Sequence, residues 1–368
     1  MTLELEINQA RKEIVSDGYD MSFGEVMNLY KDNELTINPD FQRLFRWDDS
    51  QRTRFIESLL LGIPVPPIFV YQNTDGIWEL IDGLQRLSTV LQFAGMLHDE
   101  NGVPLPPLTL SGTKYLPGLA DKRWEQTDST SNDGIGKSIQ LTIKRARIRV
   151  EILKKESDPN SKYELFQRLN TGGSKLSEQE VRNCVAVMIN PPFKEWLFDL
   201  SSNTDFLNTI AQTEDAIRIQ ANVELAFRFI AFRNVTYTKG LDVHEYLDEA
   251  LISIASDPSF DMPTEGEIFN KTFKLLNRAL NSGAFKKWDG SRFTGKFLMS
   301  LFEVVSIGVS KQISEIEKLT EDGQIDLITS RVKALWSDTT FLSHSGAGTR
   351  GTTRLVHLLP LSNEYFRP

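Results

Sequence analysis

The chain has 368 residues, 40% of them apolar, enough for a sizeable core in one large domain or two ordinary ones. Its 41 Lys and Arg against 50 Asp and Glu leave a net charge of −9, which opposes diffuse adhesion to nucleic acid or anionic membranes and confines any such contact to a local patch. The single cysteine, Cys184, excludes an internal disulfide, and His98, His244, His344 and His357 show neither HExxH spacing nor His-Asn-His order, so metal centres of those kinds are not expected.

The opening MTLELEINQARKEIVSDGYD has no apolar core of signal-peptide length, and no later stretch stays apolar long enough to span a bilayer, so a cytoplasmic protein is expected. INPDFQRLFRW, residues 37–47, sets Gln42, Arg43 and Arg46 among Phe41, Phe45 and Trp47, a mixture that can stack on a base while binding phosphate; a loop pinned to the core by its aromatics would look the same. Asp48 or Asp49 can cap a helix through QRTRFIESLLL, which Gly62 and Pro64 stop. PPIFVY and IWELI, joined by the turn-forming QNTDG, read as a buried hairpin, and LSTVLQFAGML then places Leu87, Val90, Leu91, Ala94 and Leu97 at helical spacing.

ELIDGLQRLS, residues 79–88, is therefore a strand-to-helix turn. A helix start presents unpaired N–H groups and positive potential, so the backbone at Gly83 and Leu84 can hold a phosphate, with Arg86 as a forked cationic donor and Asp82 suited to a metal ion or a polarised water. The same residues also suit a structural role, Asp82 capping the helix and Arg86 pairing with an acid; for this motif taken alone that role is the commoner one.

From His98 onward, HDENGVPLPPLTLSGTKYLPGL and DSTSNDGIGKS are rich in turn formers and read as surface loops without a packed element. IQLTIKRARIRVEIL reads as one strand, with Ala146, Ile148, Val150 and Ile152 on one face and Arg145, Arg147 and Arg149 on the other. That arginine stripe can face a polyanion, or be an ordinary solvated face balanced by Glu151 and neighbouring acids. Asp158 and Pro159 open a helix through SKYELFQRL, and RLNTGG, residues 168–173, permits close backbone approach to a ligand at Gly172 and Gly173, or is simply a turn between helices. Ser177 and Glu180 form a capping-box pattern for EQEVRNCVAVMI. Beyond Asn190-Pro191-Pro192, EDAIRIQANVELAFRFIAF, VHEYLDEALISI, GEIFNKTFKLLNRAL, GKFLMSLFEVVSIGVSKQI and QIDLITSRVKALW all read as helices.

INPDFQRLFRWDDSQRTRFIESLLLGIPVPPIFVY, ELIDGLQRLSTV and LFQRLNTGGSKLSEQEVRNC together resemble, in order and spacing, the N-terminal domain of GmrSD-type, modification-dependent restriction endonucleases. The resemblance implies an α+β chain: a ParB/sulfiredoxin-like α/β domain over residues 15–190, then a helical domain over 191–368. It ties an Asp-Gly-Gln-Gln-Arg motif to nucleoside triphosphate binding and hydrolysis, and here that motif falls on Asp82, Gly83, Leu84, Gln85 and Arg86, with leucine in place of a glutamine that could hydrogen-bond. By this resemblance Arg86 and Arg43 hold phosphates, Asp82 positions Mg²⁺ or water, Gln85 orients the nucleophile, Gln42 joins the site, and Asn170, Thr171, Gly172 and Gly173 close over a nucleotide, GTP being favoured. Glu180 and Arg182 are expected to brace that loop.

The His-Asn-His nuclease of fused members is missing, so the resemblance is to the stand-alone S-type subunit: a regulator or sensor in phage defence, contacting DNA, modified phage DNA included, through Arg145, Arg147 and Arg149, and acting with a separate nuclease. Self-association is compatible with that picture, and no membrane partner is expected. The competing expectation is a DNA-binding or protein-interaction module of the same fold that turns nothing over.

Overall fold

The computed structural model describes residues 2–4, 16–37, 47–99, 102–154, 163, 177–346 and 348–368. Two compact units are present, Met1–Lys175 and Leu176–Pro368. The first carries a mixed five-stranded sheet and the second is helical, the α+β division expected from the sequence.

In the first unit β1 (Ser16–Ser22), β2 (Leu35–Thr36), β3 (Ile68–Gln72), β4 (Trp78–Asp82) and β5 (Arg147–Leu153) lie in the order β1-β5-β3-β4-β2. The expected hairpin is the antiparallel β3/β4 pair, while β3 also runs parallel to β5, which places β3 at the centre of the sheet. A central strand buries both of its flanks, and Ile68 and Val70 are fully buried. Helix α1 (Phe23–Lys31) follows β1, and α2 (Asp49–Leu60) starts at Asp48, whose carboxylate accepts from the Gln51 N–H while the Gln51 side chain returns the bond. Helix α3 spans Leu84–Phe93; it ends before Leu97 because Gly95 turns the chain at φ 69°, yet Leu97 stays buried in the loop beyond.

Two expectations for this unit need correction. The described residues of the stretch, 98–99 and 102–135, form a loop with one 3₁₀ turn, Pro117–Leu119, but the loop is packed: Leu108, Leu110, Leu119 and Trp124 are buried, and the Trp124 ring meets Phe93 edge-on at 5.5 Å. The run read as one strand from Ile139 is helix α4 (Gly136–Arg145) followed by β5. Gln140 hid the helix, because this amide points inward with Ile143 and donates to the Trp124 carbonyl at 2.7 Å, so a polar letter occupies a core position. Alternation is real only in β5, where Ile148, Val150 and Ile152 are buried and Arg147 and Arg149 exposed.

The second unit opens with α5 (Glu178–Ile189), whose capping box at Ser177 and Glu180 forms as expected. Then come α6 (Pro191–Ser201), α7 (Thr204–Ile210), α8 (Glu214–Arg218), α9 (Ala221–Asn234), α10 (Val243–Ser256) and α11 (Met262–Leu280). Next are the hairpin β6 (Lys287–Trp288) and β7 (Phe293–Thr294), and a helix, α12, that begins at Met299–Leu301, passes through a π-helical stretch at Phe302–Ser306 and continues over Ile307–Ile316. Helices α13 (Glu321–Ala334), α14 (Thr339–His344) and α15 (Gly351–Tyr365) complete it. The stretch EDAIRIQANVELAFRFIAF is two helices, not one: Gln220 at φ 64° breaks it between α8 and α9. Pro191 and Pro192 begin a helix, since a first-turn proline lacks only an N–H that would go unpaired there, and the Asn190 side chain caps the Phe193 N–H at 3.1 Å.

The core of this unit is aromatic. Phe206, Phe229, Phe269 and Phe273 are fully buried, with ring centroids 4.5–5.4 Å apart. Beside it runs a chain of alternating charges: Asp248 to Arg182 at 2.9 Å, Arg182 to Glu224 at 3.7 Å, Glu224 to Arg228 at 2.8 Å, Arg228 to Glu303 at 3.7 Å, and Glu303 to Arg354 at 2.7 Å. Burial pushes the Asp248 carboxyl above its ordinary value, against the pull of Arg182.

Candidate nucleotide site at the strand-to-helix turn

The site begins in the sheet. Between β3 and β4 the register slips after Phe69, so that Phe69 lies opposite Asp82 while Val70 faces Leu80. Asp82 ends β4, and the chain turns into α3 at Gly83 with φ 101° and ψ 13°. A Cβ on Gly83 would stand 2.3 Å from Ile68 Cγ2, so glycine is required both by conformation and by space. No side chain caps α3, which leaves its first-turn N–H groups without the usual internal acceptor.

Arg86 is the third residue of α3. Its Nη2 donates to Asp82 Oδ2 at 2.8 Å and to the Pro67 carbonyl at 2.8 Å, tying the helix to the β4 end and to the approach of β3. Arg86 Nε, in contrast, is buried with no hydrogen-bond partner among the described residues. A buried cationic N–H without an acceptor is costly in isolation and available to an anion. The neighbouring Gln85 Oε1 accepts from the Trp47 N–H at 3.1 Å. Arg52 grips the same segment, donating from Nε to the Trp47 carbonyl at 2.9 Å and from Nη1 to Gln92 Oε1 at 2.7 Å.

Asp82, Gly83, Gln85 and Arg86 are thus brought together. Asp82 does not cap α3, because Gly83 occupies the N-cap, and the acid paired with Arg86 is Asp82 itself. Gln42, Arg43, Asn170, Thr171, Gly172 and Gly173 lie outside the described residues, as does the helix expected through SKYELFQRL except Tyr163. Sequence reading missed Arg52, Gln92 and the Trp47 backbone; the available signal was that Gln85 and Gln92, seven apart, share one face of α3.

The arginine stripe is shorter than expected. Arg145 closes α4, and only Arg147 and Arg149 belong to β5. Arg149 pairs with Glu151 at 2.9 Å and lies opposite Asp20 of β1, so acids interrupt this face. Arg182 is wholly buried in the second unit, where it holds Gln179, Asp248 and His244; the glycine loop that it was expected to brace lies outside the described residues.

No group of three or more His, Cys, Asp or Glu among the described residues is arranged to hold a metal ion. Asp82 offers one carboxylate at this turn, a donor set that fits Mg²⁺ only if phosphate oxygens and water supply the rest of its shell. No described helix is long and apolar enough to cross a membrane.

No curated protein matches the chain. The solved structure of a Pnob8-like ParB-N domain is similar to it at 13% identity and a TM-score of 0.26, over 90% of this chain and 96% of that one. Residues 23–186, which contain the whole turn from Asp82 to Arg86, match the family model of the GmrSD restriction endonuclease N-terminal domain.

Proposed function

We propose that the chain is a nucleotide-dependent regulatory or sensing component of a restriction system directed at foreign DNA, with cleavage supplied by a separate nuclease. The observation that carries the nucleotide reading is the buried, unpartnered Arg86 Nε beside the uncapped start of α3. In this reading Arg86 and the first N–H groups of α3 hold phosphate oxygens, and Asp82 is the residue that would hold Mg²⁺, which would supply charge neutralisation there. Gln85 keeps Trp47 against α3; Trp47 follows Arg43 by four residues, so Gln42 and Arg43 are tethered close by in sequence. Asn170, Thr171, Gly172 and Gly173 would complete the enclosure, and GTP is the favoured nucleotide. Leu84 removes a hydrogen-bonding side chain from the turn, so binding is the primary claim and hydrolysis follows only if Gln85 alone can orient water.

Calorimetry with GTP and Mg²⁺ tests this. Arg86→Ala should weaken binding by about 1.5–3 kcal/mol, the loss of a charge-assisted hydrogen bond, while Arg86→Lys, which keeps the charge without the fork, should fall between it and the parent. Unchanged affinity in Arg86→Ala rejects the site. Incubated alone with modified phage DNA, GTP and Mg²⁺, the purified chain should leave the DNA intact, and cleavage that survives repurification rejects the division of labour. The second reading, a DNA-binding or protein-interaction module without turnover, draws on the Arg86–Asp82–Pro67 bonds, which by themselves staple the turn. Absence of GTP binding, with Arg86→Ala costing only stability, would favour it.

A further inference from the structure

The hairpin of the helical unit, AFKKWDGSRFTGKF at residues 284–297, carries Lys286, Lys287, Arg292 and Lys296 against one acid, Asp289, in a chain whose net charge is −9. Its tip is exposed from Asp289 to Arg292, and the Arg292 side chain is 80% accessible. Rings, rather than carboxylates, face two of the lysines here. Lys333 Nζ of α13 lies 4.5 Å from the Trp288 ring centre, and Lys287 Nζ lies 6.0 Å from the Trp336 ring centre. A ring fixes a cation in place without cancelling its charge. Among the described residues no carboxylate lies within 4.0 Å of Lys286, Lys287, Lys296 or Lys333; Asp289 Oδ1 accepts from the Ser291 and Arg292 N–H groups and the Ser291 hydroxyl, and its Oδ2 lies 3.8 Å from Arg292 Nε.

From this juxtaposition we infer that the β6/β7 hairpin and the adjoining Lys333 form a docking surface for duplex DNA. The charge balance selects a polyanion. A two-stranded ribbon has the width that the major groove admits, with Arg292 at its leading tip. An anionic membrane fits less well, because residues 284–297 expose no large apolar side chain for insertion and Trp288 and Phe293 pack on each other at 4.9 Å. The hairpin belongs to the second unit, whereas Arg86 and the β5 arginines belong to the first, and the inference does not rest on nucleotide binding.

The test follows fluorescence anisotropy of a labelled duplex across a salt series, using the full chain and a K287Q/R292Q/K296Q variant whose fold is checked by circular dichroism and by retained GTP affinity or unchanged thermal unfolding. Binding should weaken by on the order of tenfold or more, and the slope of log affinity against log salt should shrink by about 2.7, roughly 0.9 for each phosphate contact removed. A parent that does not bind duplex, or a variant with unaltered affinity and slope, overturns the inference. So does loss of DNA binding in R145Q/R147Q/R149Q but not in the hairpin variant, or charge-dependent binding of phosphatidylserine–phosphatidylcholine vesicles in place of duplex.

Discussion

Glu303→Ala should destabilise the helical unit by about 3–5 kcal/mol, the usual result of removing one partner from a buried ion pair. Glu303 is fully buried on the π-helical stretch of α12, where its carboxylate accepts from Arg354 Nε and Nη2 at 2.7 and 2.8 Å. On its other side Arg228 Nη1 is buried, makes no hydrogen bond, and has Glu303 at 3.7 Å. Truncation therefore strands Arg354 and removes the charge that faces Arg228 Nη1, while Glu224 still holds Arg228 at 2.8 Å. Urea unfolding followed by circular dichroism should show a lower midpoint with an unchanged slope. The double variant Glu303→Met/Arg354→Met should be less destabilised than Glu303→Ala, because replacing a buried pair by apolar groups removes the desolvation cost with the attraction. If Glu303→Ala moves the midpoint no more than an exposed Glu→Ala change, this charge chain does not hold the unit together.

The parts of this molecule legible in its sequence are those encoded locally. Asp48 with Gln51, and Ser177 with Glu180, announce helix starts because both halves of each cap lie within one turn. The turn at Gly83 was legible for the same reason, and Arg86 meets Asp82 four residues away. What joins distant segments left no periodic trace. Trp47 and Gln85 are 38 residues apart, Arg182 and Asp248 are 66 apart, and only the folded chain brings them together. Gln140 misled in the opposite sense: it is a polar residue satisfied in the core. The family resemblance added what local pattern could not, singling out Asp82 to Arg86 among the turns of the chain, and the match over residues 23–186 supports the resemblance itself.

Gly83→Ala is expected to damage both stability and the candidate site, and the size of the effect can be divided. At φ 101° an L-residue carries a conformational penalty of about 1–2 kcal/mol. A new methyl 2.3 Å from Ile68 Cγ2 adds an overpacking cost of about 1–3 kcal/mol, because Ile68 is fully buried at the start of the central strand and has little room to retreat. The relief available is for the α3 start to move away from β3, and that movement pulls Arg86 from the Pro67 carbonyl, so GTP affinity should fall together with stability. Ile68→Ala alone should cost about 2–5 kcal/mol through its cavity. Combined with Gly83→Ala, it should cost less than the sum, since the added methyl occupies part of the space left by Ile68; the shortfall estimates the clash, and the remainder from Gly83 estimates the backbone penalty. Strict additivity in that cycle would mean that Ile68 does not set the position of the turn. Retained GTP affinity in a folded Gly83→Ala protein would separate the phosphate site from the backbone at Gly83 and leave Arg86 to account for it alone.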